Sequence, residues 1–214
     1  MPSFDIFAYI QKLVLLLPGF LLAITCHEAA HGYVAYKLGD PTPKMAGRLT
    51  LNPFKHLDVV GTLVLVLTRM IGWAKPVPVD PRFFKNPQRG MMLVGLAGPA
   101  ANFVLAVVFT ICLKGCAHVL LTQPSPLEVR LFLPLALICK EGVLISLVLG
   151  FFNLLPIPPL DGSNILAGFM PPRTAMRYMS FGRYGFIIII LLAVTGVLGQ
   201  ILQPAVMYAA QLLL

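Results

Sequence analysis

The sequence predicts an all-α polytopic membrane protein forming one domain (1–214), with about four transmembrane helices, a re-entrant or interfacial segment and a small β element. Three observations carry that prediction. The chain is 58% hydrophobic and only 11% charged, with mean hydropathy +0.86, whereas soluble domains are about 45–50% apolar and about 25% charged. Several apolar runs reach the roughly 20 residues that a spanning helix needs. The basic residues, finally, gather between particular runs, as they do where loop charge fixes membrane orientation.

The first run, Phe7 to Tyr36, is long for one span, and Pro18-Gly19 can kink it or set apart a short leading helix. The N-terminus has no basic stretch ahead of this run, so a cleaved signal peptide is not expected. The second run, Leu57 to Gly72, is short and bounded by "LNPFKH" and "GWAKPVPVDP"; it reads as re-entrant or interfacial. Met91 to Leu113, Leu131 to Leu155 and Tyr184 to the C-terminus each pass the length test. Between the helices, "KMAGRLTL" (Lys44 to Leu51) and "KPVPV" (Lys75 to Val79) read as extended, the second because proline disfavours helix. "KMAGRLTL" is either an exposed strand edge able to hold an extended peptide or a cover over the bundle.

If the short run does not cross, Lys37 to Lys55, Arg69 to Arg89 and Arg173 to Arg183 put twelve of the sixteen basic residues on one side. Lys12, Lys114, Arg130 and Lys140 remain for the other. The positive-inside rule makes the rich side cytoplasmic. The net charge of +8 thus has a membrane explanation, and aromatic residues interleaved with Lys/Arg, the sign of nucleic-acid binding, are not seen. Cys26, Cys112, Cys116 and Cys139 form no CxxC pair and read as buried small hydrophobes.

One stretch breaks the apolar pattern. In "TCHEAAHGYVAYKLG", His27 and His31 are four apart, hence one turn apart on the same helix face. Two such imidazoles can bind one Zn²⁺, and Glu28 can act on a metal-bound water as general base. Histidines in a span can also simply bond across a helix interface. Glu28, however, adds a charge costing at least about 3 kcal/mol at mid-bilayer. Ten residues separate His27 from Lys37, roughly 15 Å of helix, about half the hydrocarbon thickness. A catalytic zinc usually takes three protein ligands. Among the acids only Asp161, in "NLLPIPPLDG", follows a span directly amid apolar residues on the predicted cytoplasmic side. The prolines there free backbone carbonyls and imply a lined cavity, although an aspartate in an "LDG" turn can be purely structural.

Three ordered motifs, "HEAAHG", "GLAGPAAN" and "NLLPIPPLDG", together resemble the site-2 protease family of intramembrane zinc metalloproteases (peptidase family M50). "GRLTLNPFKHLDVVGT" and "GWAKPVPV" look like its compact bacterial members without PDZ or CBS domains. The resemblance implies Zn²⁺ bound by His27, His31 and Asp161, with Glu28 as catalytic base. It also puts Asn102 and Asn153 near the active site, where they orient substrate or a developing oxyanion. The implied substrate is a transmembrane protein or peptide, cleaved among membrane lipid in the bacterial inner membrane with the site open to the cytoplasm. The reading from another class is a metal-binding transporter or channel using the same cluster, for which paired repeats of broken helices would be expected. His56 reads as a loop histidine capping the following segment, and His118 carries no signal. Lys140 with Glu141 marks either the outer boundary or a polar contact in the bundle.

Overall fold

The computed structural model describes residues 6–58, 61 and 74–214. Most of the expected re-entrant run, Leu57 to Gly72, lies outside the described residues. Three long helices form the centre: α1 (Ile6–Lys37), α3 (Pro87–Leu121) and α4 (Pro126–Asn153) pack against one another pairwise. Each is long and apolar enough to cross a membrane. The sequence explains where two of them begin. Asn86 accepts the Arg89 amide with Pro87 at the first helical position, and Ser125 and Glu128 form a capping box ahead of α4. Pro18 lies inside an unbroken α1, so no separate leading helix forms.

Around this trio sit α2 (Thr42–Met45), α5 (Asp161–Gly168), α6 (Pro172–Ser180), α7 (Gly182–Val194) and α8 (Val197–Leu213). α5 lies against α3, and α8 against α4. Ala106 and Phe109 of α3, Val143 and Leu147 of α4, and Val206 and Ala210 of α8 share one buried cluster. Large side chains such as Val104, Ile111, Leu131 and Ile187 are exposed. Apolar patches on this scale do not face water, and the chain is an integral membrane protein.

Three expectations change. The described residues contain no sheet: the small β element reduces to one isolated antiparallel bridge, Leu57 to Ala74. "KMAGRLTL" is not a strand edge, because Lys44 and Met45 complete α2 and the Arg48 amide closes a turn on the Pro43 carbonyl at 2.9 Å. The run from Tyr184 to the C-terminus is not one helix. It breaks at Thr195-Gly196, where Gly196 adopts φ +77°, a left-handed conformation that ends helices readily at glycine. Among the described residues three helices are long and apolar enough to span, or four if α6 and α7, bent by 56° at their junction, are counted as one. Of the cysteines, Cys116 and Cys139 are buried as expected, but Cys112 is exposed on α3.

Candidate active site

The helical spacing that places His27 and His31 on one face of α1 brings their rings to 4.6 Å between centroids, edge to face. Their Nε2 atoms are 3.0 Å apart. Asp161, the first residue of α5, brings Oδ2 to 3.0 Å from His27 Nε2 and 3.2 Å from His31 Nε2. The "PIPP" stretch delivers it: the chain leaves α4 at Asn153 and re-enters helix at Asp161 with Leu160 extended at φ −65°, ψ 157°. Residues 134 positions apart in the sequence thus meet in one triangle.

The second nitrogen of each ring decides what this triangle can hold. His31 Nδ1 lies 2.7 Å from the Val94 carbonyl, an acceptor only, so Nδ1 carries the proton and Nε2 of the neutral ring offers its lone pair. His27 Nδ1 lies 3.1 Å from the Asn102 amide. The atom nearest His27 Nδ1 is Asn102 Nδ2, and Asn102 Oδ1 is buried without a partner. With His27 Nε2 turned to the triangle, Nδ1 carries the proton, and the amide turned end for end would present Oδ1 as its acceptor. Asp161 Oδ2 is buried with no hydrogen-bond donor. Three lone-pair atoms converge on one point, an arrangement satisfied by a divalent cation. In a tetrahedral zinc site, ligands about 2.05 Å from the metal stand about 3.3 Å apart, close to the 3.0–3.2 Å seen. Two nitrogens and one carboxylate form a donor set that suits zinc. Among the described residues this is the one group of three such side chains able to hold a metal ion.

Helix α3 approaches the triangle closely. A Cβ on Gly98 would lie 2.5 Å from both His27 Cε1 and His31 Nε2, so "GLAGP" serves the site as well as the packing of helices. A cavity of about 440 Å³ opens beside the triangle, lined by His27, Glu28, His31, Asn153, Asp161 and Asn164 together with Ala74, Pro76, Val77 and Val79. Glu28 is half-buried, and its Oε2 accepts the Val77 amide at 2.9 Å.

The candidates from the sequence divide accordingly. His27, His31 and Asp161 meet, and Glu28 and Asn153 join them on the cavity wall. Asn153 Nδ2 donates to the Leu149 carbonyl at 3.0 Å. Asn102 is fully buried behind His27 and is absent from the cavity wall. Cys26 lines a separate recess with Ala29, Ala30 and Tyr33. His56 is fully buried. Its Nε2 bonds the Thr50 carbonyl at 2.8 Å and its own carbonyl accepts the Lys75 amide at 2.9 Å, so it ties two loops together. Sequence reasoning missed the Val77 amide, the Val94 carbonyl and Asn164. Asn164 alone carried a signal, since it lies one helical turn after Asp161.

Comparison with known proteins agrees with this geometry. Residues 135–194 match the model of peptidase family M50. YwhC of Bacillus subtilis is 41% identical over 186 residues, covering 86% of this chain and 82% of its own length. Rip2 of Mycolicibacterium smegmatis is 30% identical over 196 residues, covering 90% and 71%. MJ0611 of Methanocaldococcus jannaschii is 30% identical over 165 residues, covering 77% and 73%. All three are named as candidate zinc metalloproteases. No solved structure matches the chain. The converging donors, their order along the chain and the extent of these likenesses lead to one conclusion: the chain belongs to peptidase family M50.

Proposed function

We propose that the chain is a zinc-dependent endopeptidase that cleaves transmembrane segments of membrane proteins within the bilayer. One observation carries the reading: His27 Nε2, His31 Nε2 and Asp161 Oδ2 converge within 3.0–3.2 Å of one another inside an apolar helix bundle. These atoms would hold Zn²⁺, which would supply Lewis-acid polarisation of a carbonyl and lower the pKa of a bound water. Glu28 works beside it as general base. Its Oε2 is engaged by the Val77 amide, so Oε1 takes the proton from the attacking water and passes it to the leaving amine nitrogen. Asn153, on the cavity wall, is the amide available to a substrate backbone or a developing oxyanion. Asn102 fixes the ring of His27. The substrate is a transmembrane helix locally unwound at the site, because a helical peptide bond is shielded by its own turn. The basic loops favour a site open to the cytoplasmic side of a bacterial plasma membrane.

The test is Glu28→Gln in the purified chain. Metal analysis should find zinc at the wild-type level, and a gel assay with a single-span substrate should find cleavage abolished. Substantial residual cleavage would remove Glu28 from the role of base.

A further inference from the structure

We propose that Arg48 is a positioning residue for Glu28, acting through the backbone of the Ala74–Val79 segment, and this rests on Glu28 being the general base. Arg48 is 4% exposed, rare for a guanidinium, whose burial is costly unless it is paired. One terminal nitrogen, Nη2, donates to the Lys75 carbonyl, while Nε is buried without a partner. Burial pushes the guanidinium below its ordinary pKa, and the Glu28 carboxylate is the charge that opposes this. The segment it grips is fixed at Lys75 from both sides: the Lys75 amide donates to the His56 carbonyl at 2.9 Å while its carbonyl takes Arg48. Two residues further on, Val77 is buried and its amide reaches Glu28 Oε2 at 2.9 Å.

The flanking residues leave this contact little substitute. Pro76 and Pro78 carry no amide hydrogen, so between Lys75 and Val79 the only donor is Val77. Proline at 78 also holds Val77 extended. Arg48 therefore sets where the Val77 amide stands, and the amide sets which carboxylate oxygen of Glu28 is free to take a proton. A base displaced by as little as 1 Å loses on the order of 100-fold in rate. The chain Arg48–Lys75–Val77–Glu28 spans the loop before the short apolar run and the segment after it, so it also joins α1 to both.

The experiment compares Arg48→Gln, Arg48→Lys, Val77→Pro and the double variant Arg48→Gln/Val77→Pro, each as the full zinc-loaded chain. Either single change to Gln or Pro should lower kcat roughly 10–100-fold with zinc content and KM within about twofold. The double variant should be no slower than the worse single, because both act through one contact. Arg48→Lys, which keeps a charged donor for the Lys75 carbonyl, should recover part of the loss. Independently of activity, hydrogen exchange at the Val77 amide should be slow in wild type and faster in both Arg48→Gln and Glu28→Ala. Multiplying effects in the double variant, or unchanged kcat and Val77 exchange in Arg48→Gln, would overturn the proposal. Should Arg48→Gln fail to fold, Val77 exchange in Arg48→Lys decides: faster than wild type supports it, unchanged refutes it. A wild type that exchanges as expected but cleaves nothing would instead refute the protease reading.

Discussion

Gly98 controls how near α3 comes to the two imidazoles, since any side chain there would occupy the space of both rings. Gly98→Ala should therefore lower stability by about 1–3 kcal/mol and reduce zinc content, read by thermal unfolding and metal analysis. Asn102→Leu removes the amide partner of His27 Nδ1 and should weaken zinc binding about 10–100-fold in a chelator competition, with the helical content retained. Asp161→Ala should lose zinc together with activity, whereas Asp58→Ala, whose carboxylate caps the Gly61 amide at 2.8 Å, should keep it. Full zinc in Asp161→Ala would remove that residue from the ligand set. At this scale His27, Glu28 and His31 were legible because a helical repeat alone puts the two imidazoles on one face. Asp161 was legible because so few acids adjoin a span. The contact of Asn102 with the His27 ring was not, because it depends on the rotation of α3 about its axis, which no local spacing encodes. Arg48 was read as a surface charge contributing to orientation; its burial comes from tertiary contacts with Lys75.

The spans were read from the length of apolar runs; α1 exceeds its run by one residue at each end, α3 by four and eight, and α4 starts five residues early and ends two residues short. Hydropathy cannot register a change in backbone conformation within an apolar run, which is why the break at Gly196 was invisible and α7 and α8 were read as one helix. Prolines marked "KPVPV" as non-helical, yet a segment without a neighbouring strand makes no sheet, and two of its three amides, those of Lys75 and Val77, go to His56 and Glu28 instead. The loops on either side of the short apolar run are sewn together. Leu57 bridges Ala74, and Asp80 N donates to the fully buried Asp40 at 2.7 Å. Both flanks therefore lie at the same end of the bundle. Cysteines at Lys44 and Arg82, in a background lacking the native cysteines, should react with an impermeant reagent from the same side of sealed vesicles. Labelling from opposite sides would require reassigning every helix after α2.

For the whole molecule, the exposed apolar belt, the basic loops and the buried donor triangle support the proposal of chemistry below a membrane surface. From His27 to the end of α1 at Lys37 the helix is continuous, so the triangle lies roughly 15 Å along the axis from that charge. The most direct measurement is the position of the cut. The zinc-loaded chain is reconstituted in liposomes with a single-span substrate, and the products are sized by mass spectrometry, with Glu28→Gln as the control. The account predicts cleavage inside the apolar span of the substrate, absent in Glu28→Gln and lost on zinc chelation. Cuts confined to residues outside the span, or cleavage that persists in Glu28→Gln, would contradict it.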